Sequence, residues 1–173
     1  MFSKQDIEKY FLAEKQLSLV FIVIGSIAVI LAVVFFFVLK TSFHKGAAVP
    51  LLIIGLIQLI ASIVVYKKTD NDRIRNVYAY DMNPGQLKNE ELPRIKTVVK
   101  KFAVIKWAET ASIAGGLALI FFFRANADKT FWYGLGLTLA IQAMLLFLAD
   151  YSSEKRAIQY KNGVERFVEK FKD

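Results

Sequence analysis

Four long apolar blocks constrain this chain more than any other feature of its sequence. They occupy residues 17–39, 47–66, 102–123 and 131–151, and the first contains no charged side chain. About 20 apolar residues in a helix cross the roughly 30 Å hydrocarbon core of a bilayer. Because backbone within lipid must satisfy its own hydrogen bonds, these blocks cannot be strands of an open sheet. The sequence therefore predicts an all-α integral membrane four-helix bundle.

Lysine and arginine are distributed unevenly around the four predicted spans. Of the 23 lysines and arginines, three lie in residues 1–16, ten in 67–106 and six in the tail from 152. The loops 40–46 and 124–130 contain only two each. Basic residues concentrate on the cytoplasmic side of membrane proteins. We therefore expect a single membrane domain over 1–173 in the plasma (inner) membrane, with both termini inside. The expected cytoplasmic segments are 1–16, 67–101 and 152–173.

The predicted topology consists of two helical hairpins that each enter and return on the cytoplasmic side. Runs of three phenylalanines end the first and third spans, at 35–37 and 121–123, and Gln58 and Gln142 occupy similar places in the second and fourth. These features are typical of a parallel repeat about an axis along the membrane normal. Shared membrane composition is an equally good explanation of the similarity.

The predicted cytoplasmic segments contain amphipathic helices. Ser3 and Asp6 have the spacing of a capping box, and apolar residues follow at helical intervals. The apolar faces contain Ile7, Tyr10 and Phe11; Ile95, Val98 and Phe102; and Val164, Phe167, Val168 and Phe171. Two interpretations are open. In the first, these faces have a structural role, because they lie on the anionic inner leaflet or cover one another beneath the bundle. In the second, they dock a cytoplasmic partner.

Glu109 is the most unusual residue within the apolar blocks. A carboxylate about 10 Å inside a span is costly unless it is paired, hydrated or protonated. It is a candidate proton or cation site, and the structural alternative is an ion pair with Lys106 one turn earlier. Asp150, at the end of the fourth span, is expected to meet Lys155, Arg156 or lipid headgroups.

Gln58 and Gln142 are the strongly polar residues near the centres of spans two and four. Ser62 lies one turn after Gln58 and Thr138 one turn before Gln142. Amides at such depth usually hold helices together, and the two could bond each other across the bundle. The alternative is a polar lining for a pore or a ligand cavity.

Small residues recur at intervals that allow close helix packing. On the second to fourth spans they are Gly55 and Ser62; Ala108, Ser112, Gly115 and Gly116; and Gly136 and Ala140. Small residues four or seven apart let helix backbones approach closely, which is how helices associate in lipid. The pattern predicts tight helix pairs, either within one chain or between copies.

The residue types that metal, redox and hydrolytic chemistry require are scarce. The chain has no cysteine and a single histidine, His44, which argues against metal sites. It has no phosphate-binding loop, nucleophile elbow or zinc-protease motif. The net charge of +8 is explained by the cytoplasmic bias, and no nucleic-acid-binding motif occurs. We therefore expect no enzyme activity, no metal, no cofactor and no nucleic-acid partner.

These features favour a non-enzymatic structural or interaction module. Its expected partners are the anionic inner-leaflet lipids and either further copies of the chain or a membrane or cytoplasmic protein. The alternative function is a small channel or transporter that uses Glu109 with Gln58 and Gln142. A third possibility, binding of lipid or an apolar ligand between the helices, is suggested by the aromatic content and the basic inner rim.

Overall fold

The computed structural model describes residues 2–170 and consists of four long helices joined by short turns. The helices are α1 (Lys4–Val34), α2 (Ser42–Met82), α3 (Leu92–Phe123) and α4 (Thr130–Glu169). The described residues form no strand, so the all-α prediction is confirmed. By length and composition, each helix can cross a membrane. Phe171 lies outside the described residues.

Local side-chain chemistry fixes where the first two helices begin and end. The Asp6 carboxylate accepts hydrogen bonds from the Ser3 backbone N–H and hydroxyl group, at 2.8 and 2.9 Å. At its far end α1 continues through a π-helical turn, Phe35–Leu39, and stops at Lys40, whose φ of 55° is left-handed. The Thr41 hydroxyl group then accepts from the His44 N–H and caps α2. The first hairpin therefore turns within two residues.

The connection between α2 and α3 enters the protein interior. Asn83 ends α2, a helical turn Pro84–Gln86 follows, and a π-helical turn Leu87–Glu91 leads into α3. Leu87 and Glu91 in this connection are almost fully buried. Pro93 lies in the first turn of α3.

The helices do not stop at the ends of the apolar blocks but continue into one polar body. We call residues 2–16, 67–101 and 152–170 the head, and the remainder the apolar half. Within the head, Ile7, Phe11, Leu87, Ile95 and Val164 are each 0% exposed and belong to one cluster. The predicted amphipathic faces therefore cover one another, and Ile95 is unavailable for docking a partner.

The helices pack as two hairpins that meet through α2 and α4. Lys4–Asp81 and Lys15–Asp70 ion pairs join α1 to α2. Lys96–Glu165 at 3.0 Å and Lys106–Glu154 at 2.6 Å join α3 to α4. Lys4–Asp81 and Lys96–Glu165 are the more exposed pairs, and such pairs contribute about 0–1 kcal/mol each, whereas Lys106–Glu154 is partly buried.

In the apolar half, helix backbones touch at glycines. A Cβ atom added to Gly116 of α3 would lie 2.8 Å from the Gly136 carbonyl oxygen of α4. At Gly46 of α2 it would lie 1.9 Å from the Phe131 carbonyl oxygen, and at Gly134 of α4 it would lie 2.2 Å from that of Phe43. No side chain larger than hydrogen fits these crossings without movement of backbone.

The small residues identified in the sequence occupy two kinds of position. Gly55, Ser62, Gly116, Gly136 and Ala140 are buried. Ala108 and Gly115 are exposed on the outside of α3, and a Cβ atom added at Gly115 has nothing within 4 Å. Ser112 is half-buried, and its hydroxyl group donates to the Ala108 carbonyl oxygen at 2.8 Å. On α3, Gly116 therefore meets α4, whereas the adjacent Gly115 faces away from it.

Adjacent glycines on α3 provide a matched test of this packing. Gly116→Ala should lower the free energy of unfolding by about 1–3 kcal/mol, because the new methyl group meets backbone atoms of α4. Gly115→Ala should leave it unchanged or raise it by up to about 1 kcal/mol, since alanine favours the helix. Thermal unfolding in mild detergent, followed by circular dichroism, measures both. Equal effects would contradict the α3–α4 contact described here.

Candidate functional site

The alternative in which Lys106 pairs with Glu109 is not found among the described residues. The Lys106 ammonium group instead bonds Glu154 of α4, at 2.6 Å. Lys106 and Glu109 lie one turn apart on the side of α3 that meets α4, so each finds its neighbour on the facing helix. Lys106 is thereby neutralised without Glu109.

Glu109 lies against Asp150 of α4, so two carboxyl groups meet near the end of the predicted spans. Glu109 is 7% exposed, and its Oε2 atom has no hydrogen-bond partner among residues 2–170. Asp150 was expected to meet Lys155, Arg156 or headgroups, and the structure places it beside Glu109 instead. Two such carboxyl groups can share one proton or hold a cation between them.

The glutamines of the second and fourth apolar blocks have separate surroundings. The Gln58 Nε2 atom donates to the Phe21 carbonyl oxygen of α1 at 3.5 Å, which is a long contact. The Gln142 Oε1 atom is buried without a hydrogen-bond partner in the described chain. The Thr138 hydroxyl group donates to the Ala47 carbonyl oxygen of α2 at 3.1 Å. No hydrogen bond joins the two glutamines, so the structure does not bring them together as the sequence suggested.

A second polar cluster, missed by the sequence analysis, lies inside the head. Glu91 is 1% exposed and accepts from Arg94 through both carboxylate oxygens, at 2.8 and 2.7 Å. The Asn76 side-chain amide of α2 donates to the same carboxylate at 3.1 Å and to the Asp72 carbonyl oxygen at 2.8 Å. The cluster therefore links α2 to the start of α3. Its buried negative charge is compensated by the neighbouring Arg94.

Two tyrosines from opposite ends of the chain complete the interior of the head. The Tyr10 and Tyr160 rings stack with centroids 4.2 Å apart, and the Tyr10 hydroxyl group donates to Glu14 at 3.0 Å. Burial, together with the Glu14 carboxylate, raises the pKa of Tyr10, and burial and the Glu91 carboxylate raise that of Tyr160. Both phenols therefore stay protonated at physiological pH, and no buried phenolate forms.

An exposed apolar stripe runs along the outside of the head on α2. Ile74, Tyr78 and Met82 recur every four residues and are 63%, 62% and 70% exposed. Residues at this spacing share one helix face, and the stripe is about 12 Å long at 1.5 Å per residue. It lies beyond the apolar block 47–66, so lipid hydrocarbon does not explain it. The spacing was visible in the sequence, but only the structure shows that no helix covers it.

Neither metal-binding groups nor comparisons with known proteins assign a further role to these residues. The described residues contain no group of three or more His, Cys, Asp or Glu side chains that could hold a metal ion. No family model, no curated protein and no solved structure matches the chain.

Neighbouring glutamates test the buried cluster. Glu91→Gln should lower the free energy of unfolding by about 3 kcal/mol, because it leaves the Arg94 charge without its carboxylate inside the head. Glu90→Gln changes an exposed side chain that bonds only Gln86 and should alter stability by less than about 0.5 kcal/mol. Chemical denaturation in detergent, followed by tryptophan fluorescence, compares the two. A loss at Glu90 equal to that at Glu91 would contradict the role of the buried pair.

Proposed function

We propose that this chain is a four-span integral membrane protein that acts as a non-enzymatic interaction module. Its termini and head lie in the cytoplasm, and the head presents a docking face to a protein partner. The orientation is supported by the excess of lysine and arginine in the head segments. Membrane insertion is supported by the length and composition of all four helices.

The observation that carries the interaction role is the exposed stripe of Ile74, Tyr78 and Met82. Large apolar side chains grouped on a polar surface mark interaction sites, because their exposure to water is unfavourable. Tyrosine and methionine are also enriched at protein interfaces. The free surface beside the stripe includes Glu8, Arg73 and Asp81, which would form a charged rim around an apolar centre.

The construction of the head supports the same proposal. The Lys4–Asp81 ion pair and the hydrogen bond from the Tyr80 hydroxyl group to the Phe2 carbonyl oxygen hold the stripe-bearing end of α2 against α1. Tyr80 also stacks on Phe167 of α4, with ring centroids 4.4 Å apart. A face held this firmly loses little conformational entropy when a partner binds, which favours affinity.

Site-specific crosslinking in intact cells tests this proposal. A photoreactive phenylalanine analogue at Tyr78 should yield a crosslinked protein partner, and the same analogue at exposed Gln159 on α4 should not. Ile74→Ser with Met82→Ser should abolish that product while thermal unfolding of the protein stays within about 0.5 kcal/mol, since both side chains are exposed. Equal products from both positions, or no loss in the double variant, would contradict the docking role.

A second candidate function, proton- or cation-coupled transport, is favoured by the contact between Glu109 and Asp150. Two carboxyl groups on facing helices near the inner end of the spans could exchange a proton or a cation with water from the head. If so, proteoliposomes should show a proton or cation flux that Glu109→Gln reduces at least about tenfold, with Asp128→Asn in the outer turn as the matched control. Equal flux from wild type, both variants and empty liposomes would exclude this function.

A further inference from the structure

A cleft between α2 and α3 crosses the predicted inner boundary of the membrane. Its volume is about 680 Å³, within the range of small-ligand sites. Because α2 and α3 run antiparallel, Val65, Phe102 and Ile105 line the end of the cleft that belongs to the spans. Six charged side chains line the remainder, towards the head, together with Thr69, Pro93, Thr97 and Val98. The cleft is thus apolar where it borders lipid tails and charged where it borders lipid headgroups.

The charged part of the cleft carries both signs in equal number. The cations are Lys68, Arg94 and Lys101, and the acids are Glu14, Asp72 and Glu90. Arg94 is held by Glu91, and the Lys68 ammonium group lies 3.8 Å from Asp72. Among residues 2–170, neither Glu14 nor Lys101 forms an ion pair. Glu90 also forms no ion pair, but it is exposed and accepts a hydrogen bond from Gln86. Glu14 is thus the half-buried acid of the cleft without a counter-ion, and Lys101 is the base without one.

Glu14 in particular lies in surroundings that disfavour its negative charge. Its carboxylate accepts a hydrogen bond from the Tyr10 hydroxyl group, but the nearby Arg94 is already engaged by Glu91. Burial raises the pKa of Glu14 above its ordinary value. A cationic group placed in the cleft would favour the ionised form and gain a charge-assisted hydrogen bond.

We propose that this cleft binds a glycerophospholipid whose headgroup carries a primary ammonium group. The lipid phosphate contacts Lys101 and Lys68, the ammonium group donates to Glu14, and an acyl chain lies along Val65, Phe102 and Ile105. A zwitterionic headgroup offers a counter-ion to both Glu14 and Lys101, whereas a purely anionic one would leave Glu14 without a counter-ion. The inference rests on the proposed membrane insertion but not on the docking of a protein at Tyr78.

Native mass spectrometry of the full chain in mild detergent tests the site. The protein is titrated with phosphatidylethanolamine, phosphatidylcholine and phosphatidylglycerol of identical acyl chains. Wild type should retain phosphatidylethanolamine about tenfold more strongly than either competitor, the effect of one charge-assisted hydrogen bond. Phosphatidylcholine has the positive charge but no N–H donor, and phosphatidylglycerol has the phosphate but no cation. Equal retention of the three lipids would overturn the proposal.

Two variants separate the headgroup contacts. Glu14→Gln should bring retention of phosphatidylethanolamine down to that of phosphatidylglycerol, whereas Lys101→Gln should weaken retention of all three lipids. The matched controls are Glu8→Gln and Lys100→Gln, which are exposed and lie outside the cleft. An unchanged lipid preference in Glu14→Gln, or equal weakening by Lys100→Gln and Lys101→Gln, would overturn the assignment.

A series of headgroups on the unmodified protein covers the case in which a variant fails to fold. Retention should persist when the ethanolamine nitrogen gains one or two methyl groups, which leave an N–H donor for Glu14, and should fall when a third methyl group removes the last donor. Retention that is independent of methylation would overturn the contact with Glu14. The failure of the proposed membrane insertion would be recognised separately, as a protein that stays soluble and folded without detergent.

Discussion

The buried carboxylate of Glu91 is the constraint on which the arrangement of the head depends. A charged group with 1% exposure must be compensated by direct contacts. Arg94 and Asn76 provide them with three hydrogen bonds. The guanidinium group of Arg94 also lies over the Phe11 ring, 5.3 Å from its centroid. One charged group thereby requires α1, α2 and α3 to meet at a single level, and the Tyr10–Tyr160 stack adds α4.

The two halves of the molecule are held together by different physics. In the head, apolar side chains such as Ile7, Leu87 and Val164 leave water, so the hydrophobic effect stabilises their burial. In the proposed membrane, lipid would solvate such side chains of the apolar half equally well, and close backbone contact would provide the attraction. The glycine crossings at Gly46 and Gly116 supply that contact. This difference explains why large side chains fill the core of the head while small ones mark the helix crossings elsewhere.

Local patterns in the sequence predicted much of the fold. The capping box at Ser3 and the four apolar blocks each depend on residues close in the chain, and the structure contains these features. The partners of Lys106 and Glu109 could not be predicted in this way. Helical spacing makes the two residues neighbours, but the facing helix offers Glu154 and Asp150, and chain-local spacing carries no information about that helix.

The sequence by itself determined the all-α class, the four long helices and the hairpin order, because periodicity, capping and hydropathy are properties of contiguous residues. The sequence also shows that the acid Glu91 lies four residues from both Leu87 and Ile95. No local pattern, however, identified Arg94 and Asn76 as its joint partners. Only the tertiary structure decided which of the adjacent glycines of α3, Gly115 or Gly116, meets α4, and which apolar residues of the head remain uncovered. These outcomes depend on the rotation of each helix about its own axis, and that rotation is set by contacts between residues far apart in the chain.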